Sequence, residues 1–449
     1  MRGQRFQGAS FLVLGLGTTG LALVRYLQGR GATVAVADSR AEPPGLATLR
    51  TAFPEVAVHL GPFETLAFSP EQTVVVSPGL APESLPLAAM KAVGCSVRGE
   101  LDLFFEEAQA PVLGITGTNG KSTVTALLGH LLAAAGYRVA VGGNLGPAAV
   151  SLLDGPAPEV FVLELSSFQL DWAELLPLRQ ALYLNLSSDH LDRYDDLAAY
   201  GASKGRIYPR AERCLYNASD AATTPPQGAL GRALAVGLRA PGAPFGVAEG
   251  ALWGPEGWSW PLDRLPLVGA HNLENVLFAL TAAWDFGAEL PALGPALDSF
   301  TPLPHRCAVA GWVRGVRYVN DSKATNVGAT VAALKGLGGL DKVLLLAGGL
   351  AKGADLTPLR AAASGLRQAF LFGTDAPALA AALGDACPVT CVETLDAAFS
   401  AAVNLASAGD TVMLAPACAS FDQFRSFEHR GEVFEAAVAD LAERLGACA

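Results

Sequence analysis

Short apolar runs recur along this chain. They are interrupted by Gly, Pro or charge and alternate with stretches that read as helices. Runs of this length read as buried strands, and their alternation with helices argues for parallel, helix-covered sheets. Three such regions separate. The first, 1–98, predicts a strand over Phe11–Leu14, the turn Gly15-Leu-Gly-Thr-Thr-Gly20, a helix over Leu21–Gln28 and a strand over Thr33–Ala37. A further strand, Val74–Val76, ends in Ser77-Pro-Gly79. The second, 99–303, predicts strands over Val112–Gly114, Arg138–Val141, Val160–Leu163 and Ala181–Leu184, a helix over Ser122–Ala135 and a closing helix over Asn272–Asp285. Within it, the Pro-, Gly- and Trp-rich stretch 237–268 breaks the rhythm and reads as short antiparallel strands and loops. The third, 304–449, follows the hinge-like Pro302-Leu-Pro304, whose prolines disfavour helix in the residues before them. It predicts strands over Arg317–Asn320, Lys342–Leu346, Ala369–Phe372 and Thr411–Leu414. The expected fold class is α/β in three domains.

Composition narrows the function. With 449 residues, 51% of them hydrophobic, the chain can bury several cores. No apolar run is long enough to span a bilayer, so no membrane insertion is expected. The N-terminus leads from Met1-Arg-Gly-Gln-Arg5 into the first strand without the apolar region of a signal peptide, and a cytoplasmic protein is expected. Seven scattered cysteines (Cys95, Cys214, Cys307, Cys387, Cys391, Cys418 and Cys448) read as reduced, mostly buried thiols, because the close pair Cys387 and Cys391 has no partners for a zinc site. A formal charge of −11 without a basic run argues against nucleic acid as a partner. An anionic small substrate would need local cations, helix N-termini or bound metal, so the question becomes where those gather.

They gather at strand exits. Gly114-Ile-Thr-Gly117-Thr-Asn-Gly120-Lys121-Ser122-Thr123 joins an apolar strand to an amphipathic helix, where backbone N–H groups and the helix dipole face an anion. Lys121 would reach the β- and γ-phosphates of a nucleotide, and the hydroxyl of Ser122 or Thr123 would ligate Mg²⁺. The spacing misses a standard Walker A, because Ile115 stands five residues before Gly120. Gly15-x-Gly17-x-x-Gly20 also follows a strand, with Asp38 ending the next one. That is the dinucleotide fingerprint, and it leaves open a nicotinamide dehydrogenase, a site for another nucleotide diphosphate, or a plain βα turn. Glu164, at the end of Val160-Phe-Val-Leu, could hold Mg²⁺ beside the phosphate loop. His190, in Asn185-Leu-Ser-Ser-Asp-His-Leu-Asp192, lies at the same sheet edge. On spacing alone Lys204 is a solvated lysine. In the last region His305-Arg306, Asn320-Asp-Ser-Lys323-Ala-Thr325-Asn326, Lys352 and Ser420 occupy similar strand exits and together make an anion-binding corner.

Read together, Gly-Ile-Thr-Gly-Thr-Asn-Gly-Lys-Ser-Thr, Glu164-Leu-Ser-Ser-Phe-Gln-Leu, Asp189-His-Leu-Asp-Arg-Tyr, His271-Asn272-x-x-Asn275, His305-Arg306 and Asn320-Asp-Ser-Lys-Ala-Thr-Asn resemble the Mur ligase family. The spacing over nearly the whole chain is similar to its D-glutamate-adding branch, and in that family the Ile115 departure is expected. The resemblance implies a Rossmann-like N-terminal domain, a central P-loop ATPase-type domain and a Rossmann-like C-terminal domain. It also implies ATP-dependent addition of D-glutamate to UDP-N-acetylmuramoyl-L-alanine through an acyl phosphate, by a monomer. Its match makes Lys121, Glu164, His190 and Lys204 the catalytic group, with Lys204 carbamylated by CO₂ and Mg²⁺ held by Ser122, Glu164, His190 and that carbamate. ATP would be met by Gly117, Thr118, Asn119, Gly120, Lys121, Ser122 and Thr123, with Asn272 on adenine and Arg306 and Asp321 from across the hinge. Leu16, Gly17, Thr18, Ser39, Arg40, Ser77, Gly79 and Asn144 would surround the UDP substrate. Lys323, Thr325, Lys352, Ser420 and Phe427 would surround D-glutamate. Ser187-Ser188 and Leu350-Ala-Lys352 depart from the family wording and would alter substrate contacts. A lysine- or diaminopimelate-adding member would carry an Asp-Asn-Pro-Arg-type signature, which is absent from the sequence.

Overall fold

The computed structural model describes residues 5–446 except 268 and 338; Cys448 lies outside the described residues. The N-terminal sheet contains β1 (Ser10–Leu14), β2 (Thr33–Asp38), β3 (Ala57–Leu60), β4 (Gln72–Val76) and β5 (Ser96–Gly99), all parallel, in the order β3-β2-β1-β4-β5. The central sheet contains β6 (Val112–Thr116), β7 (Val139–Gly143), β8 (Val160–Glu164), β9 (Gln180–Tyr183), β10 (Arg213–Asn217) and β11 (Arg232–Val236), again parallel, in the order β11-β10-β9-β6-β8-β7. The stretch that breaks the rhythm contributes a small antiparallel sheet of β12 (Gly246–Ala248), β13 (Ala251–Trp253) and β14 (Ser259–Pro261), as its Gly and Trp content predicts. The C-terminal sheet has the order β15-β16-β20-β17-β18-β19: β15 (Ala308–Val313), β16 (Val316–Asn320), β17 (Val343–Gly348), β18 (Gln368–Phe372), β19 (Val389–Cys391) and β20 (Thr411–Leu414). Only its β15/β16 pair is antiparallel.

Every residue of β6 and of β8 is buried. A strand covered on both faces carries an unbroken apolar run rather than alternation, and for that reason these strands stand out in the sequence. The six strands that the pattern did not predict are β3, β5, β10, β11, β15 and β19. All but β10 lie at sheet edges, where half-exposed positions admit His59, Arg98 or Trp312 and dilute the signal. The cysteine expectation needs correction. All six described cysteines are free, but only Cys214, Cys387 and Cys418 are buried; Cys391 is exposed at the end of an edge strand, and Cys95 and Cys307 are partly exposed.

In each parallel sheet the chain reverses its direction of travel around an inner strand, which opens a crevice at the carboxyl edge. In the N-terminal sheet that crevice lies between β1 and β4. Gly15 sits there at φ +90°, and a Cβ on it would meet Ser77 Cβ at 2.8 Å. In the central sheet the inner strand is β6. Its register sets Ile115 beside Glu164 and Thr116 beside Tyr183, so the loop leaving β6 is flanked by the exits of β8 and β9.

Candidate active site

The carboxyl edges of the central and C-terminal sheets enclose a cavity of about 570 Å³. Five cations line it: Lys121, Lys204, Arg306, Lys323 and Lys352. In a chain of net charge −11 this concentration of positive charge is where local cations gather, the feature that an anionic ligand requires.

The loop leaving β6 is built to turn sharply. Gly117 (φ +153°) and Gly120 (φ +83°) take conformations that side chains disfavour, and a Cβ on Gly120 would lie 2.3 Å from Asn275 Oδ1. Helix Lys121–Ala134 begins immediately afterwards. The exit of β9 holds the loop: Asn185 accepts from Thr118 N (2.9 Å) through its carbonyl and from Asn119 N (2.8 Å) through Oδ1, and donates from Nδ2 to Asn119 O (3.0 Å). Lys121 Nζ bends back onto the carbonyls of Gly117 and Thr118, both at 2.9 Å.

Lys204, which spacing alone read as solvated, is 1% exposed, and its Nζ donates to the same Gly117 carbonyl at 2.9 Å. Its Nζ also lies 4.4 Å from the centre of the Tyr200 ring. Burial, followed by the repulsion of Lys121, holds the Lys204 ammonium well below the usual lysine range. Burial likewise lowers Lys121, against the attraction of Glu164 and Asp189. Two like charges sharing one carbonyl oxygen are poised for a polyanion that would stabilise both.

Glu164 is 2% exposed. Its Oε1 accepts from Asn144 Nδ2 at 2.7 Å, while its Oε2 is buried without a hydrogen-bond partner. An unpartnered buried carboxylate oxygen is costly unless a cation meets it, so this atom fits a hard metal ion such as Mg²⁺. Among the described residues no group of three or more His, Cys, Asp or Glu side chains could hold a metal by itself. An ion at Glu164 would therefore have to draw its other oxygens from a hydroxyl, a phosphate or a modified lysine. His190, in left-handed backbone (φ 54°), packs edge-on against Phe168 at 4.8 Å. Burial lowers its pKa, with Asp189 opposing and the lysines assisting, which favours the neutral imidazole.

From the C-terminal domain Arg306 Nη2 donates to Ser122 Oγ at 2.6 Å. Asp321 accepts from Cys307 N at 3.2 Å, and burial pushes its carboxyl up to about 6. Lys323 Nζ sits 3.9 Å from the centre of the Phe427 ring; burial, then the nearby Arg306 and Lys121, lower it to about 8. Thr325 and Lys352 also line the cavity, as does Asn272, which lies on the helix Ala270–Phe286. Ser420, 2% exposed, and Phe427 stand behind this lining rather than in it. Of the eight described non-glycine residues with positive φ, four line the cavity (His190, Cys307, Lys352 and Ala417), and His305 adjoins Arg306. Strained backbone of this kind persists where packing holds functional groups in place.

The N-terminal candidates form a separate cluster. Leu16 N donates to Asp38 Oδ2 at 2.7 Å, and Arg40 pairs with Asp38 through Nη2 (2.7 Å) and Nε (2.8 Å). Burial works against the Asp38 charge, but Arg40 and the Leu16 N–H outweigh it and hold the carboxyl below the usual range. Asp38 is thus occupied by its own chain, unlike the free ribose acceptor that a dinucleotide site requires. Gly17, Thr18, Ser39, Ser77 and Gly79 leave strands of the same sheet, outside the cavity, whereas Asn144 lines the cavity.

Two residues escaped sequence reasoning. Arg193 bridges to the N-terminal domain, donating to Pro78 O at 3.1 Å and Leu80 O at 3.2 Å. Arg430, fully buried, donates to the carbonyls of Ser322 (2.8 Å), Gly348 (3.3 Å) and Cys418 (3.1 Å), tying together three strand exits. Neither signals its role locally, since an arginine in a turn (Arg193) or on a helix (Arg430) reads as a solvated charge.

Fold and cavity define a three-domain α/β protein with a cation-lined cavity between the carboxyl edges of its central and C-terminal sheets. Residues 9–99 match the family description "Mur ligase MurD-like, N-terminal domain", residues 115–241 the Mur ligase middle domain and residues 305–418 the Mur ligase glutamate ligase domain. The chain belongs to the Mur ligase family. It is 44% identical over 441 residues to the UDP-N-acetylmuramoylalanine–D-glutamate ligase of Nitrosococcus oceani (96% of this chain, 97% of the relative). It is 45% identical over 447 residues to that of Pseudomonas aeruginosa (96% and 98%). In fold it is similar to the MurF ligase of Thermotoga maritima solved in complex with ADP (TM-score 0.62, 17% identity, 98% of this chain and 96% of that one). It is also similar to the UDP-N-acetylmuramate-alanine ligase of the same organism (TM-score 0.61, 15% identity, 96% and 99% of the two chains). No described helix is long and apolar enough to cross a membrane.

Proposed function

We propose that this protein joins D-glutamate to UDP-N-acetylmuramoyl-L-alanine at the expense of ATP, a step of peptidoglycan precursor synthesis, working as a monomer in the cytoplasm. The observation that carries the reading is the facing of two loops across one cavity: the phosphate loop with Lys121 on one side and the loop with Lys323 and Thr325 on the other. The full-length likeness to ligases of that name supplies the substrates. The units 1–98, 99–303 and 304–449 would receive the UDP substrate, ATP and the amino acid respectively.

In this reading the substrate carboxylate attacks the γ-phosphorus of ATP, forming the acyl phosphate and releasing ADP. The neutral amine of D-glutamate then attacks the acyl carbon; the C–N bond forms, phosphate leaves and a proton is given up. The first step brings an anion to a polyanion, so charge neutralisation is the main demand. The Gly117–Thr123 loop and Lys121 would hold the phosphates, Arg306 and Asp321 would close the nucleotide site, and Asn272 would meet adenine. Ser122 and Glu164, with His190 and a carbamylated Lys204, would hold Mg²⁺, which when bound neutralises phosphate charge. Lys204 supports carbamylation by being buried with a depressed pKa, since only the neutral amine adds CO₂. Leu16, Gly17, Thr18, Ser39, Arg40, Ser77 and Gly79 would take the uridine diphosphate, with Asn144 near the reacting end. Lys323, Thr325 and Lys352 would receive D-glutamate, and Ser420 and Phe427 would complete its surroundings. The test is phosphate release from ATP with UDP-N-acetylmuramoyl-L-alanine and a panel of amino acids. Turnover should require D-glutamate, and turnover indifferent to it would sink the assignment.

A further inference from the structure

One side chain joins the two faces of the cavity directly. Asn326 ends the loop that carries Lys323 and Thr325, and its Oδ1 accepts from Ala329 N at 2.8 Å, capping the helix Val327–Gly336. Its Nδ2 crosses to the central domain, donating to Asp189 Oδ2 at 2.9 Å and to Asn119 Oδ1 at 3.2 Å. A carboxamide has two N–H donors, and here each has its own acceptor on the opposite domain. The two acceptors belong to working parts of the site. Asn119 is in the phosphate loop, and Asp189 uses its other oxygen to accept from His190 N at 2.9 Å.

The helix packs closely on the central domain around this contact. A Cβ on Gly328 would lie 2.8 Å from Ser187 Oγ, and a Cβ on Gly336 would lie 3.1 Å from Gly269 Cα. Both ends of the capped helix are therefore glycine where they meet the central domain. That contact seats the helix at a fixed depth, with Asn326 8% exposed at its start. The cap bond lies within the helix, whereas both crossing bonds span the two domains and would break on any separation of them. Domain closure is thereby registered at the phosphate loop and at the residue that orients His190.

We infer that Asn326 is a positioning residue whose amide couples seating of the amino-acid loop to the alignment of Asn119 and of the Asp189–His190 pair. The inference rests on the proposed reaction for its catalytic readout but not for its nucleotide readout. The test is a double-mutant cycle on the full-length protein with N326D, D189N and N326D/D189N. N326D keeps the shape and the cap, because aspartate caps as well as asparagine, but sets a carboxylate against that of Asp189. In the double variant the donor and acceptor exchange sides. Mg-ATP affinity is measured by titration calorimetry, and kcat and KM for ATP and for D-glutamate by phosphate release. N326D is expected to lose about tenfold or more in Mg-ATP affinity and in kcat/KM, the scale of a charged hydrogen bond turned to repulsion. The double variant is expected to recover to within about threefold of the unmodified protein. N326D behaving as the unmodified protein, or a double variant no better than the product of the two single effects, would overturn the inference. N326S, which keeps a capping hydroxyl but is too short to cross, provides the second reading if N326D fails to fold. An unmodified protein that binds Mg-ATP but forms no amide would refute the proposed reaction and leave the affinity cycle decisive for Asn326.

Discussion

Arg306 of the C-terminal domain donates to the hydroxyl of Ser122 on the first turn of the phosphate-loop helix, across 2.6 Å and 184 residues of chain. Burial lowers the pKa of Arg306, against the attraction of Glu164 and Asp321, and its guanidinium faces the loop from the cavity wall. A triphosphate arriving there would be met from two domains at once. Arg306→Ala should lower kcat/KM for ATP by about ten- to a hundredfold, the range for a charge-assisted hydrogen bond. Arg306→Lys should recover little of it, because an ammonium does not reproduce the planar fork. Steady-state kinetics with ATP varied will decide, and a fully active lysine variant would count against the role.

Glu164 divides its work between its two oxygens, one receiving Asn144 and the other unpartnered. Glu164→Gln keeps a polar group of the same size but removes the charge that a hard cation requires. The Mg²⁺ concentration giving half-maximal activity should rise by about tenfold or more, a metal-ligand effect. Asn144→Ala should raise it less, by loosening the orientation of Glu164. An unchanged Mg²⁺ dependence in the glutamine variant would remove Glu164 from the metal site.

Asp321 titrates at about 6 because burial disfavours its charge. Its pKa is higher folded than unfolded, so the stability that it contributes is fully present below about pH 4 and is lost as pH rises through about 6. Asp321→Asn cannot titrate. The thermal midpoint of the variant, minus that of the unmodified protein, should therefore become more positive between pH 4 and pH 7. Scanning calorimetry across that range checks the sign, and a difference that is flat or falls with pH would contradict it.

Lys204 offers a buried amine whose depressed pKa leaves more of it neutral near physiological pH than an exposed lysine would have. With ¹³C-labelled bicarbonate a carbamate carbon resonance should appear and should be absent from Lys204→Arg. The same substitution should lower kcat by about a hundredfold or more, in line with the loss of a preorganised charge at the reacting centre. A resonance that persists in the arginine variant would locate the modification elsewhere.

The sequence carried the buried parallel strands and the phosphate loop because their signals are local. A strand enclosed on both faces must be apolar throughout, and a turn that cradles phosphate must contain glycine where φ is positive. The edge strands β3, β5 and β15 were invisible for the opposite reason: their half-exposed positions tolerate polar residues. Lys204 and Arg430 show the same limit among side chains. Both lie on helices with the spacing of solvated residues, yet one is 1% exposed and the other fully buried.

What the sequence by itself determined is the α/β class, the three regions and the set of polar groups at strand exits, because strand length, helical period and glycine placement act within a few residues. Only the tertiary structure decided which exits face each other. It brought Lys204 onto the carbonyl of Gly117, 87 residues away, set Arg306 on Ser122 and left one oxygen of Glu164 unpartnered. Those relations depend on the order of strands in each sheet and on the seating of one domain against another. They arise from burial and charge among groups distant in the chain, which no local pattern encodes.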